Sequence, residues 1–270
     1  MQYSTLHNGL QVPQVVFGTY RIHDNDSVER VIRDAYDCGY RMFDSASYYK
    51  NEAELKDAFE VLGVRDQVLI TSKVWNDAKG YKGVLKEFEQ SEQQLGRVDV
   101  YMLHWPCDEF LNRWKALESL YCAGRVKAIG VSNFKKHHLE KLLKEAMIKP
   151  MINQIEAHTY FMDRETIDFC REQGIVVQAW RPLMRTGNML QNPDIAKVGE
   201  KYGKTTAQVC LRYLLQEGLS IVPKSTKKAR MQENIDLFDF ELSEQDMDFM
   251  RSLECGMRTA DDPDDYPWNK

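Results

Sequence analysis

The sequence has no apolar stretch near the roughly 18 residues of a membrane span, so no span is expected. It has no excess of positive charge. A formal net charge of −5 over 270 residues leaves no basic footprint for nucleic acid. It has no C-x-x-C pair. The six cysteines, Cys38, Cys107, Cys122, Cys170, Cys210 and Cys255, are scattered, which suggests buried thiols in a reducing compartment and not a disulfide framework. Residues 1–12 lack the basic-then-apolar layout of a signal peptide, so a cytoplasmic protein is expected. There is no G-x-G-x-x-G: Gly18 stands alone, and Gly80-Tyr81-Lys82-Gly83 has the wrong spacing. A doubly wound sheet with a dinucleotide turn is therefore disfavoured. Clustered metal ligands are also missing. His7, His23 and His158 are isolated, and the adjacent His137 and His138 should diverge on a helix, so no metal site is expected. No short repeat, low-complexity linker, heptad or large apolar stripe stands out. A single domain over 1–270, acting as a monomer, follows.

What is present is an ordinary globular composition, 43% hydrophobic and 29% charged, enough to bury a sizeable core. Asn8-Gly9, a favoured type I′ pair, predicts a hairpin between residues 3–6 and 10–12 that plugs one end of the fold. From Val15 onward, β-rich runs alternate with helical spacing. Strands are predicted over 15–17, 41–44, 68–73, 98–104, 126–132, 151–154, 175–180 and 219–222. Val28, Val31, Ile32 and Ala35 mark the first helix, stopped at Cys38-Gly39. Helices follow over 51–62 and 80–95, around Trp114, Leu117, Leu120 and Tyr121, and over 135–147, 164–173, 193–202, 206–217, 227–237 and 243–252. The acidic tail from Asp261 reads as a surface loop, from which Tyr266 and Trp268 could fold back. Eight strands alternating with helices predict an α/β protein, a (β/α)8 TIM barrel with an N-terminal β-hairpin cap.

In a parallel barrel the C-terminal ends of all strands converge on one face. Asp44, Lys73 and His104 each close a predicted strand, and Tyr49 sits in the loop just after Asp44. A carboxylate, an ammonium, an imidazole and a phenol gathered there form a proton-donating site. Cys107 could line a pocket, but no base is linked to it, which argues against a catalytic thiol.

The segment from Gly39 to Glu52, with Phe43-Asp44 and Tyr48-Tyr49-Lys50-Asn51-Glu52, resembles the signature of the aldo-keto reductases. So do Ile70-Thr71-Ser72-Lys73-Val74-Trp75, Leu103-His104-Trp105-Pro106, Gly130-Val131-Ser132-Asn133-Phe134, Asn153-Gln154-Ile155-Glu156 and Ile221-Val222-Pro223-Lys224-Ser225. Several motifs in order make the resemblance specific, and it is nearest the small reductases of the diketogluconate reductase and prostaglandin F synthase branch. It implies hydride transfer from a reduced nicotinamide to a carbonyl carbon, with Tyr49 as general acid. Lys73 is expected to lower the pKa of Tyr49 from near ~10, Asp44 to pair with Lys73, and His104 to orient the carbonyl.

The resemblance also implies a cofactor set. Ser132, Asn133 and Gln154 would bond the nicotinamide carboxamide, and Trp180 would stack on the ring. Gly18, Thr19, Tyr20, Leu183, Pro223 and Thr226 would border the cofactor. Lys224, Ser225 and Arg230 would grip a 2′-phosphate, with Glu233 and Asn234 against the adenine, which favours NADPH over NADH. Tyr20, Tyr48, Trp75 and Trp105, with Tyr49 and His104, would line the pocket for a small carbonyl substrate. The chain departs from the family at Ser45 (commonly threonine), Lys50 (often glycine), Arg181 and Lys227. The reach of Arg181 stays open between pyrophosphate, an acidic substrate and solvent. Two rival readings are a non-catalytic NADPH-binding regulatory subunit on the same barrel and Schiff-base chemistry at Lys73.

Overall fold

In the computed structural model, which describes residues 1–23, 27–185 and 188–265, eight strands pair side by side in one direction. β1 (Tyr3–Thr5) and β2 (Gln11–Pro13) form an antiparallel hairpin first. The barrel strands are β3 (Phe17–Gly18), β4 (Met42–Asp44), β5 (Leu69–Val74), β6 (Val100–Leu103), β7 (Ala128–Ser132), β8 (Ile152–His158), β10 (Val176–Trp180) and β11 (Ser220–Val222). They pair in that order. The circle closes where Val15 bridges Ile221 and Gly18 N–H donates to the Pro223 carbonyl at 3.0 Å. These strands are buried on both faces, so they read as continuous apolar runs without alternation. Between β8 and β10, the short β9 (Phe161–Met162) folds back on the end of β8.

The helices are α1 (Val28–Asp37), α2 (Glu52–Leu62), α3 (Gly80–Leu95), α4 (Phe110–Cys122), α5 (Lys136–Leu143), α6 (Arg164–Glu172), α7 (Pro193–Tyr202), α8 (Thr206–Gln216), α9 (Lys228–Ile235) and α10 (Glu244–Ser252). Their starts follow local chemistry. Asp163, Asn192, Thr205 and Ser243 each accept a first-turn N–H, and Pro193 opens α7 where its missing N–H costs nothing. α1 buries Val28, Val31, Ile32 and Ala35, the stripe its spacing predicts. α5 ends four residues before the predicted Met147. Glu118 of α4 accepts the Ile148 N–H at 2.8 Å, drawing that segment away from the helix.

Three sequence expectations are corrected. The hairpin turn is not type I′, which needs positive φ at both central residues. Gly9 has φ 87°, but Asn8 is not in the positive-φ region. Leu6 and Gly9 instead close a turn, and Leu6 N–H reaches the Leu10 carbonyl, giving a three-residue loop ending in a left-handed glycine. The hairpin does cover the barrel's N-terminal end, where Asn8 donates to the Lys127 carbonyl and Ser4 meets Ser220. Cys107, Cys170 and Cys210 are buried, but Cys122 and Cys255 are exposed, so the expectation of uniformly buried thiols fails. β8 runs four residues beyond the predicted Gln154, and β9 was not foreseen at all.

The barrel interior is tight at Gly130 of β7, where a Cβ would lie 2.7 Å from the Ile152 carbonyl oxygen. Gly130→Ala forces neighbouring strands apart and should destabilise by about 1–3 kcal/mol, read as a lower urea midpoint at unchanged m-value.

Candidate active site

β4, β5 and β6 are neighbours, so their C-terminal ends share one rim. Asp44 ends β4, Lys73 is the penultimate residue of β5, and His104 follows β6. Lys73 Nζ donates to the two Asp44 carboxylate oxygens at 2.7 and 2.8 Å and to the Ser45 carbonyl at 2.9 Å. Both side chains are buried. Three acceptors match three ammonium hydrogens. Burial pushes the Lys73 pKa down while Asp44 opposes the shift; the geometry is that of a charged amine. An ammonium held this way is a poor Schiff-base nucleophile, which requires a neutral amine.

Tyr49 stands on a 3-10 turn, Ser47–Tyr49, entered through extended Ala46 and left through Lys50 at φ 55°. That left-handed exit explains why glycine suits the position after the tyrosine; lysine is accommodated here with strain. Asn51 braces the turn, accepting from Ser45 Oγ and donating to the Thr19 and Ile22 carbonyls. Lys73 Nζ lies 5.3 Å from the Tyr49 ring centroid and the His104 ring 5.9 Å from it. Burial, then the charges of Asp44 and Tyr20, push the Tyr49 phenol well above its ordinary value, while Arg181 pulls it down. The hydrogens of Lys73 go to Asp44 and Ser45 and not to the phenol. Tyr49 is a firmly protonated phenol. Burial, followed by the charges of Lys73 and Arg113, holds His104 well below its usual pKa, so its imidazole is neutral and keeps one N–H to donate.

The predicted carboxamide cluster meets beside this rim. Gln154 Nε2 donates to Asp44 Oδ1 at 2.8 Å and to Gln178 Oε1 at 3.2 Å. Ser132 Oγ donates to the Gln154 carbonyl at 2.8 Å. Asn133, at φ 65°, donates through Nδ2 to the His104 carbonyl and accepts from Trp180 Nε1 at 3.0 Å. Asn133 thus fixes the indole of Trp180.

A cavity of about 710 Å³ opens over the rim. It takes in Gly18, Tyr20, Asp44, Tyr48, Tyr49, Trp75, His104, Trp105, Ser132, Asn133, Gln154, Trp180, Arg181, Leu183, Pro223 and Lys224, all expected at a site. Tyr48 stacks on Trp75 at 3.9 Å, and Tyr20 tilts against Tyr49 at 4.9 Å. The structure does not bring every predicted residue to that lining. Thr19 is buried behind it, with Oγ1 donating to the Asp44 carbonyl. Lys73 lies beneath. Ser225, Thr226, Arg230, Glu233 and Asn234 lie along the loop after β11 and α9, outside the lining; Glu233 accepts from the Thr205 hydroxyl and Asn234 is buried.

Arg21, Met184, Arg185 and the segment Thr259-Ala260-Asp261 line the cavity and were not foreseen. Arg181 lines the cavity, and its guanidinium donates to the Thr259 carbonyl at 2.6 Å. Thr259 N–H donates to Glu156 Oε1 at 2.7 Å, and Arg258 lies over the Phe161 ring of β9. Lys135 pairs with Asp262 and Asp264. The C-terminal segment is thereby strapped across the barrel mouth; Tyr266 and Trp268 fall outside the described residues. His137 and His138 do not diverge: their rings lie 4.0 Å apart and both Nε2 atoms face Asp264 Oδ1. His138 Nδ1 accepts the Lys135 backbone N–H at 3.2 Å, and its Nε2 lies 3.4 Å from Asp264 Oδ1. The trio reads as part of the strap's anchor.

Comparison with known proteins bears on this geometry. A model described as "Aldo/keto reductase family" matches residues 14–254. The chain is 44% identical over 264 residues to a "Glyoxal reductase" of Bacillus subtilis (strain 168), covering 96% of this chain and 95% of the relative. It is 35% identical over 266 residues to "Methylglyoxal reductase DkgA" of Escherichia coli O157:H7, covering 97% and 96%. Among solved structures, an aldo-keto reductase enzyme from a Medee basin deep-sea metagenome superposes with TM-score 0.93 at 36% identity, covering 98% and 99%. An aldose reductase from Schistosoma japonicum superposes with TM-score 0.90 at 33% identity, covering 96% and 94%.

Removing one member of the Asp44–Lys73 pair leaves a buried charge without its partner. Lys73→Met should cost about 3–5 kcal/mol in chemical denaturation. The double variant Asp44→Asn/Lys73→Met should recover much of that loss, since neither charge then remains.

Proposed function

Because the chain belongs to the aldo/keto reductase family, we propose that it reduces small aldehydes and ketones to alcohols with NADPH, and that Tyr49 donates the proton. The observation that carries this reading is the meeting of the Tyr49 phenol and the His104 imidazole on one cavity rim, above the buried Asp44–Lys73 pair. The cavity fits a nicotinamide dinucleotide in donor chemistry. Ser132, Asn133 and Gln154 bring hydroxyl and amide groups together, Trp180 offers a fixed indole, and Arg21, Arg185 and Lys224 supply positive charge.

When bound, the reduced nicotinamide supplies the hydride. The chain's own residues do the rest. His104 donates its N–H to the substrate carbonyl and orients it. As negative charge builds on that oxygen it becomes far more basic than a phenolate, so Tyr49 gives up its proton at that point and not before. Asp44 and Lys73 form a rigid floor with little net charge. Aromatic walls from Tyr20, Tyr48, Trp75 and Trp105 keep water away and suit small carbonyl compounds. The relatives named for glyoxal and methylglyoxal make small α-oxoaldehydes the substrate class to test first. Lys224, Ser225 and Arg230 follow β11, the end at which barrels commonly bind phosphate, and support a 2′-phosphate preference. Pro223 and Thr226 adjoin Lys224 and Ser225, and Glu233 and Asn234 of the following helix would meet the adenine. The same reading takes the chain as one working unit, a monomer of the cytoplasm.

The purified protein should consume NADPH absorbance with methylglyoxal and a panel of reactive aldehydes; no turnover with any of them would defeat the proposal. Tyr49→Phe should lower kcat by about 10²–10⁴-fold with NADPH affinity, read by fluorescence titration, nearly unchanged. Arg230→Glu should weaken NADPH by about 10–100-fold, the worth of a lost charged hydrogen bond, and leave the KM for NADH almost where it was.

A further inference from the structure

The walls of the cavity stand on loops, and loops need anchors. Trp75 follows β5 directly and is gripped by its main chain from two helices. Its N–H donates to Glu87 Oε1 of α3 at 2.7 Å. Its carbonyl accepts from Arg113 Nη2 of α4 at 2.6 Å. The same Glu87 oxygen accepts from the hydroxyl of Ser47, the first residue of the turn that carries Tyr48 and Tyr49. The other terminal nitrogen of Arg113 donates to Cys107 Sγ, two residues beyond Trp105. One carboxylate and one guanidinium therefore tie together three segments that face the cavity.

We propose that Glu87 is a positioning residue for carbonyl reduction: its carboxylate fastens the turn bearing Tyr49 to the wall formed by Trp75, while Arg113 holds the carbonyl side of the same residue. The inference rests on the reading of Tyr49 as proton donor.

The chemistry favours position over packing as the reason for these residues. Arg113 is buried and Glu87 half-buried. Desolvating such charges costs several kcal/mol, and apolar side chains of similar size would serve the helix interface at least as well. A carboxylate oxygen does what an apolar group cannot: it accepts from two donors at once, here one from each segment. Burial raises the Glu87 carboxyl pKa, while the bonds from Ser47 and Trp75 and the Arg113 charge pull it back. The tie continues through contact, since Tyr48 stacks on Trp75 and the Trp75 edge meets His104 at 4.9 Å. A shift of the turn moves the phenol relative to the imidazole. Misplacement by about 1 Å far from the chemistry can cost ~10²-fold in rate.

The test compares Glu87→Ala, Glu87→Gln and Ser47→Ala in the full chain. Glutamine keeps the accepting oxygen and loses the charge. Glu87→Ala should lower kcat for methylglyoxal by about 10-fold or more at unchanged NADPH affinity, and Glu87→Gln should return to within about 3-fold of the parent. Ser47→Ala, which cuts the tie but leaves the Trp75 N–H bonded, should lower kcat by a smaller factor. It keeps the test decisive if Glu87→Ala fails to fold. Hydrogen exchange at the Trp75 amide, independent of turnover, should quicken in Glu87→Ala and stay slow in Glu87→Gln and Ser47→Ala. Parental kcat in Ser47→Ala, or in Glu87→Ala where that variant folds, overturns the inference. So does an equal loss in Glu87→Ala and Glu87→Gln, which would assign the effect to charge. A parent without turnover would instead defeat the Tyr49 reading, with the exchange pattern still reporting whether the anchor exists.

Discussion

The contact between Asp44 and Lys73 is the constraint on which the rest of the mouth depends. Two opposite charges removed from water are costly unless every hydrogen and lone pair finds a partner. Here the lysine has three acceptors and the aspartate draws a further bond from Gln154. Satisfying that pair fixes the ends of β4 and β5 against each other and reaches across the barrel to β8. The polar centre is then rigid because loosening any one member would strand another.

From that centre outward, rigidity passes through bonds that each join two elements. Gln154 continues to Gln178 of β10, Asn133 links His104 to Trp180, and Asn51 binds the 19–22 loop to Ser45 just beyond the end of β4. These side chains are amides, which donate and accept at once and so can bridge. The phenol gains its character from this setting: it is half-buried at the cavity rim, near a carboxylate, and beside an ammonium bonded to other groups. It therefore holds its proton tightly.

Much of this was legible in the sequence because the barrel strands are apolar runs ended by chemistry-bearing residues. Asp44, Lys73 and His104 fall at strand ends, and all eight strands and ten helices lie where the periodicity puts them, with shifted boundaries. Contacts between segments remote in sequence were harder to read. Arg181 carries no local sign that Thr259 is its partner, and β9 is too short for any period to register. The convergence of His137 and His138 on Asp264 depends on a tail that crosses the fold. A charge signal did exist there, in the run from Asp261 to Asp265, but it has no direction until the basic face it meets is known. The third partner of Lys73 was out of reach for a different reason: the Ser45 carbonyl is a backbone group that no pattern of side chains reveals.

The strap of Thr259 to Asp261 turns the far end of the chain into a structural wall. In practical terms, a substitution at Thr259, Ala260 or Asp261 alters the shape of the cavity and not an inert tail. The N-terminal hairpin, which covers the opposite end of the barrel, has no such reach.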